Sequence, residues 1–286
     1  MEPTSITSKT RLYAVIGNPV AHSLSPLMHN TAFGQLCIDA VYLAFEVADV
    51  AAAVSGIRAM GIQGLSVTIP HKIAIMDHLD EVSPEARVIG AVNTIINRNG
   101  RLFGDNSDGR GAVAALKRHT RLKGRHLTIL GAGGAARAVA FAAAAEGSRV
   151  TIVNRTPSTG EALACAVGGR YRPLTDAYIG DCDILVNTTP VGMTPHDSVS
   201  PVSSSALNPA MIVMDAVYSP LDTRLLQDAR RAGCHTIDGL DMFVEQGVLQ
   251  CEWWTGHRAP APLMKSTVAT ALMRRQTKQT GEKSNG

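Results

Sequence analysis

His126-Leu-Thr-Ile-Leu-Gly-Ala-Gly-Gly-Ala-Ala-Arg137 runs from an apolar strand pattern through a glycine turn into an alanine-rich helix that continues to Ala145. A second β-branched run, Arg149-Val-Thr-Ile-Val-Asn154, follows it. Strand, glycine turn, helix and strand in this order are the setting of a dinucleotide fingerprint. Gly131 makes the tight turn, Gly133 lets the backbone approach a pyrophosphate, and Ala136 packs helix on strand. The glycine spacing alone is weak, and a merely tight strand–helix turn is the alternative; the two flanking strands favour the nucleotide. The end of the second strand selects which nucleotide. A carboxylate there would bond a ribose 2′-hydroxyl, but the residues are Asn154-Arg155-Thr156, and an arginine suits a 2′-phosphate. Arg155 as a solvated loop charge is the other reading. Further strands are expected near 183–187, 211–216 and 235–237, and Asn187-Thr-Thr-Pro-Val-Gly-Met193 sits at a strand end where ligands collect in open α/β sheets.

Upstream, strand patterns near 12–16, 41–45 and 64–69 alternate with helical periods near 27–37, 49–60 and 72–79, the rhythm of βαβ units and a largely parallel sheet. Two apolar arms around Asn99-Gly100 then predict a hairpin over 93–105, because both turn residues tolerate φ > 0. Pairing outward sets Arg98 against Arg101 and Asn93 against Asn106, which makes Asn93 and Asp108 neighbours at the open end. A carboxylate with little water around it needs a cation or several donors, and Lys72, expected to begin a helix after Pro70, is the nearest in sequence. A structural ion pair is the plain alternative. Ser25-Pro26 reads as an N-cap followed by proline at the first helical position, with Ser23 two residues before it on extended chain. Hydroxyls in front of a helix start can hold a small anion such as a carboxylate, or Ser25 simply caps. The period of two puts Ser66 and Thr68 on one strand face, either as a polar site wall or as an edge strand wetted on one side.

The 286 residues are enough for two domains, and 45% hydrophobic with 18% charged residues is the balance of a globular, water-soluble chain. The longest apolar stretch, Ala138 to Ala145, is too short to span a bilayer, and the polar first ten residues lack the apolar segment of a signal peptide. Five scattered cysteines without a C-x-x-C or His/Cys cluster read as reduced thiols, giving a cytoplasmic expectation and no metal. A net charge of +3, dispersed except for a tail from Arg274 to Gly286 that reads as frayed, gives no nucleic-acid surface.

Gly17-Asn-Pro-Val-Ala-His-Ser-Leu-Ser-Pro-Leu-Met-His-Asn30, Val67-Thr-Ile-Pro-His-Lys72, Gly90-Ala-Val-Asn-Thr94, Gly104-Asp-Asn-Ser-Asp-Gly109, Gly131-Ala-Gly-Gly-Ala-Ala-Arg137, Asp215-Ala-Val-Tyr-Ser-Pro220 and Gly239-Leu-Asp-Met-Phe-Val-Glu-Gln-Gly247 occur in order and at sensible spacing. With them the chain resembles the shikimate and quinate dehydrogenases from about Leu12 to Pro262. The resemblance implies two α/β domains. Residues 1–108 plus 241–286 would form a substrate domain with a mostly parallel sheet, and 109–240 a Rossmann-type NADP-binding domain. A C-terminal helix would return to the first domain, with both ligands in the cleft and a homodimer as one assembly. It further implies reversible hydride transfer between NADPH and 3-dehydroshikimate, with Lys72 and Asp108 catalytic. Ser23 and Ser25 would bind the substrate carboxylate, assisted by Tyr218, while Ser66, Thr68, Asn93 and Gln246 would surround the ring hydroxyls. NADP(H) would lie on Gly131, Ala132, Gly133, Gly134, Ala135, Asn154, Arg155, Thr156, Thr188, Met193 and Gly239. Two positions depart from the family pattern. Thr159 stands where a second basic residue is common, which predicts weaker discrimination against NAD(H), and Ser66 stands where many bacterial members have asparagine. Quinate-preferring plant relatives tend to carry glycine at 25 or 68; Ser25 and Thr68 are intact here, which favours shikimate.

Overall fold

The computed structural model describes residues 6–174, 179 and 182–283, without the side chains of 276–283. The chain divides into two compact units. One comprises the residues up to Ser107 together with Gln246–Val268; the other comprises Asp108–Glu245 and the chain from Ala269. The divisions at Gln246 and at Ala269 fall inside continuous helices, α8 (Gly239–Thr255) and α9 (Ala261–Lys283).

In the first unit β1 (Arg11–Gly17) pairs in parallel with β2 (Ala40–Glu46) and β3 (Gly64–Val67), with α1 (Ser25–Gln35) and α2 (Val50–Ala59) as crossovers. Asp49 caps α2, accepting from the Ala52 N–H at 3.0 Å. β5 (Thr94–Arg98) then runs antiparallel to β3, and β6 (Arg101–Asp105) antiparallel to β5. The two-residue β4 (Glu81–Val82), which precedes α3 (Pro84–Ile89), completes the order β2-β1-β3-β5-β6-β4. Asn99 and Gly100 have φ of 54° and 88°, and Arg98 does face Arg101. The like charges are tolerated because Arg98 lies over the Phe103 ring at 4.7 Å while Arg101 pairs with Glu81 at 2.8 Å. Ala14, Ile16, Ile57, Leu65, Val67, Val92, Ile95 and Leu102 form the core, each large aliphatic side chain contributing about 1.5–3 kcal/mol by burial. β3 lies between β1 and β5 and all four of its residues are buried, so the wetted-edge reading of Ser66 does not hold.

The second unit is a wholly parallel six-stranded sheet, β12-β11-β10-β7-β8-β9. The strands are β7 (His126–Leu130), β8 (Arg149–Asn154), β9 (Arg170–Pro173), β10 (Ile184–Asn187), β11 (Ile212–Asp215) and β12 (His235–Ile237). α4 (Asp108–Lys117), α5 (Gly134–Ala145), α6 (Pro157–Ala166) and α7 (Arg224–Arg231) flank them in sequence. This is the doubly wound order: the chain lays down strands outward from β7 to β9, then returns to β10 on the other side of β7 and proceeds the opposite way. Leu127, Ile129, Val150, Ile152 and Val186 fill the core against Val139, Ala140 and Ala143 of α5. No described helix is long and apolar enough to cross a membrane.

Candidate active site

In the first unit the expected substrate residues gather at the carboxyl ends of β1 and β3, and backbone hydrogen bonds tie their loops together. The Asn18 N–H donates to the Ile69 carbonyl (3.0 Å), Thr68 N–H to Ile16 (2.9 Å), Val67 N–H to Asn93 (2.8 Å) and Val92 N–H to Lys72 (2.8 Å). Main-chain bonds thus tie the segments carrying Thr68, Lys72 and Asn93 together. Lys72 does not begin an α-helix, however. It lies in a turn ahead of a 3-10 segment over Ala74–His78, because its carbonyl is taken by Val92 rather than by a following helical N–H. β3 ends at Val67, so Thr68 stands just past the strand, its methyl packed onto Gly17 and its hydroxyl without a hydrogen bond to the described residues.

The capping expectation for Ser25 is corrected. Helix α1 starts at Ser25 itself, Leu24 occupies the N-cap, and no side chain caps it. The Ser23 hydroxyl accepts from the Ser25 N–H at 3.2 Å. Ser25 is 6% exposed, and its hydroxyl meets no partner among the described residues. A hydroxyl in that state at a helix start is a donor waiting for an acceptor.

Ser66 is held in a network of side chains. Its hydroxyl accepts from Tyr42 (2.6 Å) and donates to Gln250 Oε1 (2.7 Å), so toward a ligand it retains only a lone pair. Gln250 Nε2 in turn donates to Thr94 Oγ1 (2.9 Å) and to the Asn93 carbonyl (3.2 Å). Thr94 Oγ1 (2.7 Å) and the Ser107 N–H (2.8 Å) both donate to Asn93 Oδ1. Asn93 Nδ2 donates to Ser107 Oγ at 2.9 Å, and that hydroxyl reaches Gln246 Oε1 at 3.5 Å. A buried relay from Tyr42 to Gln246 therefore fixes the Asn93 rotamer. Tyr42, Thr94, Ser107 and Gln250 were missed in the sequence. Only Gln250 carried a local signal, four residues after Gln246 and hence on the same helix face. His29, stacked on Tyr42 at 4.5 Å, is fully buried with neither ring nitrogen hydrogen-bonded; burial, opposed in small part by the nearby Gln250 side chain, lowers its pKa to about 3.

In the second unit Asp108 is the first residue of α4, buried, and directly follows Ser107 in the chain. The glycine turn fits a dinucleotide. Gly131 has φ 108°, and a Cβ there would stand 3.0 Å from Thr188 Oγ1, so the turn itself requires glycine. Gly133 has φ −78°, and a Cβ there would meet nothing within 4 Å, so the fold does not require it. The space it leaves lies at the start of α5, where no side chain caps the free N–H groups that begin at Gly134 and Ala135, an arrangement suited to a pyrophosphate. Ala132 precedes this opening, and Thr188 closes it by donating to the Leu130 carbonyl at 2.6 Å. At the end of β8, Asn154 Nδ2 donates to the Thr156 carbonyl (2.9 Å) and to Thr159 Oγ1 (2.8 Å). Arg155 is exposed and makes no bond to the described residues, so its guanidinium is available to a phosphate. Met193 lies in the loop after β10. Tyr218, partly exposed, stacks on Phe243 at 4.4 Å; burial, opposed by Arg275, pushes its hydroxyl up to about 12, which keeps it a neutral donor. Gly239 opens α8 where a Cβ would stand 2.5 Å from the Val217 carbonyl oxygen.

Comparison with known proteins gives consistent matches along the chain. Residues 15–95 match the shikimate dehydrogenase substrate-binding domain, 113–215 the shikimate/quinate 5-dehydrogenase family, and 239–269 the shikimate 5′-dehydrogenase C-terminal domain. The shikimate dehydrogenase (NADP(+)) of Symbiobacterium thermophilum is 44% identical over 278 residues, covering 92% of this chain and 95% of its own. That of Pyrococcus abyssi is 46% identical over 257 residues, covering 89% and 96%. Among solved structures, shikimate 5-dehydrogenase from Thermus thermophilus, in complex with NADP(H) and shikimate, aligns with a TM-score of 0.86 at 41% identity, covering 92% of this chain and 100% of that one.

Proposed function

The chain belongs to the shikimate dehydrogenase family, and on that premise we propose that it catalyses the reversible NADP-dependent reduction of 3-dehydroshikimate to shikimate in the cytoplasm. The observation that carries the reading is the loop cluster at the ends of β1 and β3. There the Ser25 and Thr68 hydroxyls lack partners among the described residues, and main-chain bonds hold Lys72 beside Asn93. A ring bearing a carboxylate and several hydroxyls needs such donors at separate points.

Ser23 and Ser25 take the carboxylate, with Tyr218 as a further neutral donor. Thr68, Asn93 and Gln246 bond the ring hydroxyls, and Ser66 contributes an acceptor lone pair. Reduction of a ketone builds negative charge on its oxygen. The Lys72 ammonium stabilises that charge and delivers a proton, and Asp108 accepts from an adjacent ring hydroxyl. General acid–base help of this kind is worth about 10²–10⁴-fold. NADPH, when bound, supplies the hydride. Gly133, Gly134 and Ala135 hold its pyrophosphate with Gly131 and Ala132 shaping the turn, Asn154, Arg155 and Thr156 its 2′-phosphate, and Thr188, Met193 and Gly239 its nicotinamide end.

The test is absorbance at the nicotinamide band with shikimate or quinate against NADP⁺ or NAD⁺. Turnover of shikimate with NADP⁺ well above the other three combinations supports the reading. Equal kcat/KM for quinate makes the enzyme dual in specificity, and no turnover of either acid would mean a non-catalytic, ligand-sensing relative.

A further inference from the structure

We propose that Asp215 is a positioning residue, its carboxylate holding the Asn187–Met193 loop and the Ala216–Tyr218 segment in the arrangement that receives the nicotinamide end of the cofactor. The proposal rests on the reading of that loop as cofactor-facing given above.

Asp215 ends β11 and is fully buried, as are Asn187 at the end of β10 and Thr223 at the cap of α7. One carboxylate serves three separate segments. Its Oδ1 accepts from Asn187 Nδ2 at 2.9 Å and from the Val217 N–H at 3.0 Å, and its Oδ2 accepts from Thr223 Oγ1 at 2.7 Å. From Asn187 the connection continues outward. Its Oδ1 accepts from both the N–H (3.0 Å) and the hydroxyl (2.7 Å) of Thr189, and its amide also reaches the Val191 carbonyl at 3.3 Å. The Ala216 N–H donates to the Asn187 carbonyl (2.9 Å), and the Thr194 N–H donates to Ser219 (3.0 Å). On its other side the Ala216–Val217 main chain is pressed by the bare α-carbon of Gly239. Packing alone does not call for a carboxylate in such a place, since desolvating it is costly. What the carboxylate provides is acceptors for donors on two loops at once, at the strand ends beside the point where the sheet order reverses.

The test uses three variants of the full chain. Asp215→Ala leaves the Asn187 amide, the Val217 N–H and the Thr223 hydroxyl unpaired. Hydrogen exchange should then accelerate at the Thr189 and Val217 amides while β7 amides stay protected. NADPH affinity, read by its fluorescence, should fall by at least about 10-fold, and kcat by about 10²-fold, as for a displacement of roughly 1 Å at the reacting centre. Asp215→Asn keeps an oxygen for the two loop donors and turns its amide to the Thr223 hydroxyl, so it should stay within about threefold of the parent, whereas a role for the negative charge itself would make it as poor as alanine. Thr223→Val should lower Tm through loss of the helix cap and leave NADPH affinity in place. If Asp215→Ala lowers Tm yet keeps parental exchange at those amides and parental NADPH affinity, the residue is only structural and the proposal is wrong. Should Asp215→Ala fail to fold, Asn187→Ala opens the same junction from the other strand and is judged by the same readouts. If the parent itself binds no NADPH, the functional reading fails, and the exchange measurement still decides whether Asp215 positions the loops.

Discussion

His29 should make the first unit acid-labile. Its imidazole is fully buried with both nitrogens unbonded, and its pKa is lowered to about 3 from an ordinary value near 6.5. The folded state thus binds a proton less readily than the unfolded chain. The corresponding stability is complete above pH 6.5 and is lost as pH falls from there toward 3. At about 1.4 kcal/mol for each pH unit below 6.5, moving from pH 7.5 to pH 4.5 should remove on the order of 3 kcal/mol. Asp215, in the other unit, works oppositely: burial raises its carboxyl to about 6, so its contribution grows as pH falls from 6 toward 3.8. A probe of the whole chain would see the two partly cancel. Tryptophan fluorescence avoids this, because the chain has only two tryptophans, Trp253 and Trp254, and both lie in the Gln246–Val268 segment of the first unit. Urea unfolding followed by that signal, at pH 7.5 and 4.5, should be compared between the parent and His29→Phe. Phenylalanine keeps a ring against Tyr42 and cannot titrate, and any pH-independent repacking drops out of the difference between the two pH values. The parent should lose on the order of 3 kcal/mol more than the variant. Equal losses within about 0.5 kcal/mol, near the error of extrapolation, would refute the assignment of acid lability to His29.

Three further outcomes are expected. Lys72→Ala should lower kcat by about 10²–10⁴-fold with a smaller change in KM, and near-parental turnover in steady-state assays would remove Lys72 from the chemistry. Ser25→Ala should act mainly on substrate KM, because the carboxylate is remote from the reacting carbon. A hydroxyl bond to a charged group is worth about 1.5–3 kcal/mol, and an unchanged KM would show that no anion is held there. Arg155→Ala should weaken NADP⁺ by roughly 10–150-fold in kcat/KM and leave NAD⁺ nearly unaffected; equal losses with both cofactors would place the 2′-phosphate elsewhere.

The parts legible in the sequence were those with short-range causes. Asn99-Gly100 predicted the hairpin and its Arg98–Arg101 register because two adjacent residues at positive φ leave few alternatives. The strand–glycine–helix pattern around Gly131 predicted β7, α5 and β8 for the same kind of reason. What escaped was set by distant partners. Ser66 reads from the period of two as part of a polar site wall or of a wetted edge, yet it bonds residues 24 and 184 positions away, which no local period encodes. Ser25-Pro26 carries the signature of a cap, but Ser23, not Ser25, receives the N–H, and the helix begins one residue earlier than the signature implies. Lys72 follows a proline and resembles a helix start until the Val92 N–H, arriving from the far side of α3, claims its carbonyl. Asp215 was visible only as part of a family pattern, and its work as an acceptor emerged once Asn187, Val217 and Thr223 stood around it.

The discontinuity of the first unit has a consequence for synthesis. Gln250, which partners Ser66 and Thr94, and Trp254, which donates to the Ile95 carbonyl at 2.9 Å, lie beyond the whole Asp108–Glu245 segment. At about 5–20 residues per second, residue 250 leaves the ribosome roughly 7–30 s after residue 107. For that interval the amino-terminal sheet waits without the Gln250 side chain that Ser66 and Thr94 bond and with the Ile95 carbonyl open, while the strands of the second sheet, which end at Ile237, are being made. Translation order therefore favours completing the nucleotide-binding sheet before the amino-terminal unit closes, with the second unit's own share from Ala269 made last. The nascent chain is most exposed to chaperones and to aggregation at a stage when its first hundred residues are already made.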